Sequence, residues 1–249
     1  MTVDEEGLQR VVHGNSLWLS PEVFITHADR LFQLAPQANE IRFFTEQALG
    51  HQQQKEKDFN YYSFLIFQEM KGYGALSLEV LRELASCPQL SRVRSLIFNS
   101  NTLGDDGVQA LTQSPHLTAL TALELCQTGI GDKGVAVLLG WSGVRQLRRL
   151  LLSRNTITDQ GVKALAESSN LGQLAELGLG ENAIHEEGLE ALIHSPHLTS
   201  LQTVELSGAP IGPGFEYATN DIGFEERIGY DMAAANELAK QFRRPIRIC

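Results

Sequence analysis

The eleven residues Leu147-Arg148-Arg149-Leu150-Leu151-Leu152-Ser153-Arg154-Asn155-Thr156-Ile157 set the frame for the whole chain. Leu147, Leu150, Leu152, Asn155 and Ile157 fit the pattern L-x-x-L-x-L-x-x-N-x-L, which describes a short strand and a tight turn. The strand pair returns at a constant spacing of 27 residues: Leu96 and Phe98, Leu123 and Leu125, Leu150 and Leu152, Leu177 and Leu179, Val204 and Leu206. Five units therefore occupy residues 93–211 with no shift of register.

The turn and the helix that follows have constants of their own. Asn101, Asn155 and Asn182 hold the turn position, where an amide can satisfy backbone groups left unpaired as the chain bends. Thr128 and Ala209 replace it in the second and fifth units; a hydroxyl substitutes in part and a methyl does not, so the fifth turn is expected to be the weakest. Gly107, Gly134, Gly161 and Gly188 come next, preceded two residues earlier by Asp105, Asp132, Asp159 and Glu186. An acid in the first helical turn suits the positive end of the helix dipole, and a glycine in a helix points to close packing against a neighbour. Leu111, Leu138, Leu165 and Leu192 then fall four residues on, facing the strands. The fifth unit has Phe215 in the glycine position, and regularity stops there.

This pattern resembles the leucine-rich repeats of the ribonuclease-inhibitor class. The resemblance implies an α/β solenoid with a curved parallel sheet on the concave side and α-helices on the convex side. The Ser-Pro-His-Leu-Thr of Ser114–Thr118 and Ser195–Thr199, with the D-x-G helix start, is similar to bacterial arrays of this class. In those proteins a short companion domain often precedes the array; none is visible here, which suggests a reduced member or one component of a larger system.

One solenoid domain over residues 1–249 is expected: degenerate repeats and an amino-terminal cap in 1–92, the regular repeats in 93–211, and an insertion loop with a carboxyl-terminal cap in 212–249. His13, Gly14 and Asn15 are turn formers that predict a hairpin within residues 8–20. Ser20 and Pro21 predict a helix start, with Phe24, Ala28, Leu31, Phe32 and Ala35 on one face and Pro36 at its end. Ile41 and Phe43 supply the next strand pair, 24 residues after Leu17 and Leu19. Residues 45–75 are either a further repeat with a strand at Phe64 and Ile66, or an insertion. Ser77–Ser86 reads as a helix, and Leu84, Leu90 and Val93 align 27 residues before Leu111, Leu117 and Leu120. Residues 212–230 read as an inserted acidic and aromatic loop, Met232–Phe242 as a helix, and Pro245–Ile248 as a last strand.

Composition narrows the function. Twenty Lys and Arg against 30 Asp and Glu give a net charge of −10, which opposes general binding to nucleic acid or anionic membrane. Cys87, Cys126 and Cys249 are too few and scattered for a disulfide framework or a zinc site, and fit a reducing interior. The acidic start MTVDEEGLQR lacks the features of a secretory signal, no apolar run approaches bilayer length, and Cys249 as the last residue does not form a prenylation box. A cytoplasmic monomer is the expectation.

Side chains between the strand leucines must face the concave side. They form four rows: Ser95, Ala122, Arg149, Glu176, Thr203; Ile97, Glu124, Leu151, Gly178, Glu205; Asn99, Cys126, Ser153, Gly180, Ser207; and Ser100, Gln127, Arg154, Glu181, Gly208. Arg149 and Arg154, flanked by Glu124, Glu176 and Glu181, are expected either to form a binding stripe or simply to pair as a ladder, Arg149 with Glu176 and Arg154 with Glu181. Ile97 and Leu151 are apolar at positions expected to be open, with Gly178 and Gly180 leaving a hollow beside them. The candidate partner-binding set is therefore Ile97, Asn99, Glu124, Cys126, Arg149, Leu151, Arg154, Glu176, Glu181 and Glu205.

Signals for chemistry are weak. His116 and His197 occupy equivalent places in two copies of one loop, His194 has no partner at metal-ligand spacing, and Cys126 has no nearby histidine. No catalytic residue, metal or cofactor is expected. The reading is a non-enzymatic scaffold for a protein partner. The resemblance leaves two alternatives: a regulator of a partner enzyme such as a GTPase activator, and a ubiquitin ligase of the bacterial leucine-rich-repeat kind, whose Cys-x-Asp motif neither Cys87 nor Cys126 matches.

Overall fold

The structure, a computed structural model, describes residues 4–44, 75–208, 217–219, 225–227, 240 and 247–248. Its strands are Val12–His13 (β1), Ser16–Leu19 (β2), Glu40–Phe43 (β3), Ser95–Ile97 (β4), Ala122–Glu124 (β5), Arg149–Leu151 (β6), Glu176–Gly178 (β7), Thr203–Glu205 (β8), Tyr217–Thr219 (β9), Glu225–Arg227 (β10) and Arg247–Ile248 (β11). Nine of them form one sheet in the order β1-β2-β3-β4-β5-β6-β7-β8-β11. Within it the β1–β2 pair is antiparallel and every other neighbour is parallel. Parallel strands need a crossover, and helices supply it. Glu5–Arg10 (α1) precedes β1, Pro21–Leu34 (α2) links β2 to β3, Leu78–Ala85 (α3) precedes β4, and Gly104–Thr112 (α4), Asp132–Gly140 (α5), Asp159–Glu167 (α6) and Glu186–His194 (α7) connect β4 through β8. The result is an open α/β solenoid of leucine-rich-repeat type, with helices on the convex side and the sheet on the concave side.

The core is the repeated leucine set. Leu96, Leu123, Leu150, Leu177 and Val204 are in register and at most 5% exposed, and Leu111, Leu138, Leu165 and Leu192 close over them from the helices at 4% or less. The degenerate amino-terminal repeat follows the same rule, since Leu17 pairs with Ile41 and Leu19 with Phe43. Ser20 caps α2 by accepting from the Val23 N–H, Pro21 is its first residue, and Phe24, Ala28, Leu31, Phe32 and Ala35 are buried. Ser77 caps α3 in the same way. At this end Phe24, Phe43 and Phe98 form an aromatic column, with ring centroids 5.9 Å and 5.0 Å apart at successive steps.

Several details depart from the sequence expectations. Residues 5–10 are helical: Asp4 accepts from the Gly7 N–H, and Glu5 and Glu6 occupy the first turn, so the acidic amino end is a capped helix start. β3 pairs directly with β4, Ile41 opposite Leu96, so no other strand stands between them; the strand expected at Phe64 and Ile66 lies outside the described residues. Within the expected loop at 212–230, β9 and β10 form a separate antiparallel pair. β11 adds to β8, with Ile248 opposite Val204, as expected of a last strand; the helix expected at Met232–Phe242 lies outside the described residues, apart from residue 240.

Asparagine and aspartate fasten each repeat to the next. The Asn155 amide donates to the carbonyls of Leu152 and, one repeat back, Leu125, both at 2.8 Å, while its oxygen accepts from the N–H groups of Thr128 and Ile130. Asn182 repeats this against Leu152, Leu179, Asn155 and Ile157. Thr128, which replaces asparagine, donates to Leu125 O in its own repeat at 2.7 Å. The acids do more than meet a dipole. Asp105 Oδ1 accepts from the N–H groups of Gly131 and Gly134 at 2.8 and 2.9 Å, so it caps α5, the helix of the following repeat. Asp132 caps α6 through Thr158 and Gly161, and Asp159 caps α7 through His185 and Gly188. The glycine is obligatory for this contact: a Cβ at Gly134, Gly161 or Gly188 would overlap the carboxylate oxygen of the preceding repeat.

Candidate interaction surface

The sheet's backbone register creates the surface. Arg149 stands opposite Glu176, and Leu151 opposite Gly178, with Glu124 and Glu205 completing that row. The next residues turn sharply. Ser100, Gln127, Arg154, Glu181 and Gly208 all have φ between 55° and 66°, a left-handed row in which only Gly208 is free of a Cβ penalty. That turn brings Arg154 and Glu181 side by side at the end of the strands.

The charges pair as a ladder. Arg149 Nη1 is 3.5 Å from Glu124 and its Nε is 3.2 Å from Glu176, and Arg154 Nε is 2.9 Å from Glu181. Each pair crosses between neighbouring repeats, and because every member except Glu124 is partly open, each contributes only about 0–1 kcal/mol. Glu124 is different. It is 8% exposed, and besides pairing with Arg149 it accepts from the Asn99 amide at 2.9 Å; Asn99 in turn accepts from the Cys126 N–H at 2.9 Å.

Glu205 has no cation within ion-pair distance among the described residues, yet its carboxylate is well served. It accepts from the Gly180 N–H at 3.0 Å, the Ser153 hydroxyl at 2.5 Å, the Ser207 N–H at 3.1 Å, and the Ser207 hydroxyl. This corrects the hollow expected at the glycines. A Cβ on Gly180 would overlap Glu205 Oε1, and one on Gly178 would lie 2.9 Å from Leu151 Cδ2. The missing side chains are replaced by those of neighbours, so Glu205 lies across Gly180 and Leu151 across Gly178.

Ile97 is also corrected: it stays in the concave row and outside the core cluster of Leu96 and Phe98, yet it is 1% exposed and not open, whereas Leu151 is half-buried and remains the apolar contact of the row. Beyond Ile97 the row continues to Arg42 and Trp18, where the Arg42 guanidinium sits 5.1 Å over the indole and the His13 ring lies 4.6 Å from it. The candidate set drawn from the sequence does not include these residues, though the 24-residue offset of the Leu17 and Ile41 pairs is the signal that extends the rows to them.

The surface offers little for covalent chemistry. Burial first, and then the charges of Glu124 and Glu205, push the Cys126 thiol up to about 12 against the lowering effect of hydrogen bonds from Ser153. Such a thiol is protonated at neutral pH and is a poor nucleophile. Burial and Glu83 raise the Cys87 thiol as well. His116 and His197 follow serines that hold the loop in place. Ser114 Oγ donates to Ala85 O and Ser195 Oγ to Ala166 O, each at 2.5 Å, and each accepts from the histidine N–H two residues on. The repeated Ser-Pro-His-Leu is thus a clasp onto the preceding helix. Among the described residues, no three His, Cys, Asp or Glu side chains gather as metal ligands, and no helix is long and apolar enough to cross a membrane.

Comparison with known proteins finds the same repeat. The family described as leucine-rich repeat matches residues 91–111 and 145–166. No curated protein sequence matches the chain. Among solved structures, internalin C2 from Listeria monocytogenes is similar at 16% identity, covering 56% of this chain and 78% of that one with a TM-score of 0.32.

Proposed function

We propose that this chain, a leucine-rich-repeat protein, is a non-enzymatic scaffold that binds a protein partner on its concave sheet. The observation that carries this reading is the row structure: a half-buried leucine, Leu151, set among partly open charged groups on a parallel sheet. An apolar contact with a charged rim is the usual plan of a protein interface. Across repeats two to five the rows carry Glu124, Glu176, Glu181 and Glu205 against Arg149 and Arg154, so the partner should bring basic groups, with Glu205 as the carboxylate that has no cation of its own among the described residues. The protonated Cys126 thiol argues against a thioester route on this face.

Affinity capture from native lysate tests this, with wild type and with Arg149→Ala/Leu151→Asp/Arg154→Ala, after circular dichroism shows both folded. Crosslinking and mass spectrometry then locate the contact. Capture by wild type alone, with crosslinks to the sheet face, supports the reading. Equal capture by both proteins would sink it.

A further inference from the structure

The two long edges of the solenoid differ in charge, although the chain as a whole is acidic. The segments that lead into β4–β8, residues 88–94, 115–121, 142–148, 169–175 and 196–202, contain Arg92, Arg94, Arg145 and Arg148 and not one Asp or Glu. The segments that leave the strands, residues 99–106, 126–133, 153–160 and 180–187, contain Asp105, Asp106, Asp132, Asp159, Glu181, Glu186 and Glu187, with Lys133 and Arg154 as their only cations. In a protein of net charge −10, acids have been kept off one edge alone.

Pairing sharpens the contrast. Between residues 93 and 208 the cations away from the basic edge, Lys133, Arg149, Arg154 and Lys163, each have a carboxylate within 4.0 Å. Arg94, Arg145 and Arg148 have no such partner among the described residues. Arg145 donates to the Asn170 amide oxygen at 3.0 Å, and Arg148 makes one 3.4 Å hydrogen bond to Gln173, so most guanidinium donors on this edge still face solvent. Arg92 is already engaged, with Pro36 O at 2.9 Å and the Phe32 ring at 4.5 Å, and is set aside.

Spacing suggests what would sit there. The Thr121 N–H donates to Arg94 O and the Arg148 N–H to Thr121 O, each at 2.8 Å, which aligns Arg94, Thr121 and Arg148 immediately before consecutive strands. Neighbouring strands are about 4.8 Å apart, so the two arginines are separated by roughly 10 Å. A polyproline II segment repeats every three residues, about 9.3 Å, and presents the same face at each repeat. We propose that this edge is a second recognition surface, for an extended acidic protein segment that carries a carboxylate at every third residue. Arg94 and Arg148 each take one carboxylate with a forked guanidinium, and the Thr121 hydroxyl between them, which donates to Arg94 O at 3.2 Å, accepts from a segment N–H. The nearest acids along this edge are engaged: Glu176, whose N–H donates to Arg148 O, pairs with Arg149, and Glu40, opposite Ser95, accepts from the Ser16 hydroxyl.

The probe is a fluorescein-labelled (Glu-Pro-Ser)-repeat peptide, followed by anisotropy in low salt. Controls are its (Lys-Pro-Ser) counterpart and a single-stranded oligonucleotide of equal charge. The Glu peptide should bind in a salt-sensitive manner, Arg94→Glu/Arg148→Glu should weaken it at least about tenfold, as loss and reversal of two exposed pairs implies, and Leu151→Asp on the concave row should leave it unchanged. Because the two arginines are exposed and have no carboxylate partner among the described residues, the double variant should retain the wild-type circular dichroism. Binding unaffected by the reversal, or carried only by the oligonucleotide, overturns the proposal. Loss through Leu151→Asp instead would assign the peptide to the concave face and overturn it equally.

Discussion

At the scale of single residues, polar side chains with many bonds matter more here than exposed charges. Asn155 holds two carbonyls and two N–H groups across two repeats, whereas Thr128 in the equivalent position holds one carbonyl. Asn155→Ala strands the two N–H groups, because Leu125 O keeps the Thr128 hydroxyl and Leu152 O the Asn182 amide, and should cost about 2–4 kcal/mol, while Thr128→Ala leaves Leu125 O with the Asn155 amide and should cost about 1 kcal/mol. Urea denaturation of both variants checks the order; equal midpoints would show that the turn does not depend on the amide. Cys126 gives a second residue-level prediction. A thiol moved from its ordinary 9.0 to about 12 holds roughly a thousandfold less thiolate at neutral pH. Peptide-resolved alkylation of the folded protein should therefore be slow at Cys126 until strongly alkaline pH, and rapid labelling at pH 7 would show an open thiol. Stability follows the same sign. The folded state keeps a proton that the unfolded chain releases above about pH 9, so this contribution is complete below pH 9 and is lost as pH rises toward 12.

At the scale of elements, the helices of the array start where the preceding repeat tells them to. Asp132 binds the N–H groups of Thr158 and Gly161, and the space for its carboxylate exists because Gly161 has no side chain. Asp132→Ala should cost about 1 kcal/mol as the loss of a cap. Gly161→Ala should also destabilise, although alanine is by itself about 1 kcal/mol the better helix former. With Asp132 already removed, most of the Gly161→Ala penalty should disappear. A double-mutant cycle by chemical denaturation reads this coupling, expected at about 1 kcal/mol or more; strictly additive effects would mean that the acid and glycine are independent. In the sequence the acid and the glycine stand two residues apart and invite a reading within one helix. Their real partners are 29 residues apart, a pairing that is invisible until the repeats are stacked.

At the scale of the whole molecule, the repeat made the solenoid and its four concave rows legible, because a strict 27-residue spacing leaves the sheet only one register. The salt-bridge ladder followed from the rows. What a row assignment does not contain is depth. Ile97 and Leu151 hold equivalent positions, yet one is sealed and the other half-open, and the gaps at Gly178 and Gly180 are filled by side chains from adjacent strands. The charge difference between the two edges was written in the sequence but emerges only when loops from separate repeats are placed side by side. The caps contributed by Asp105, Asp132 and Asp159 also give the stack an arrow. Each repeat is completed by its predecessor and takes that particular contact from nothing downstream. A fault at one acid is therefore handed on toward the carboxyl end and not back, like a masonry course in which every stone rests on the one laid before it, while the oxygens of Asn155 and Asn182 tie each turn to the repeat before and carry support the other way.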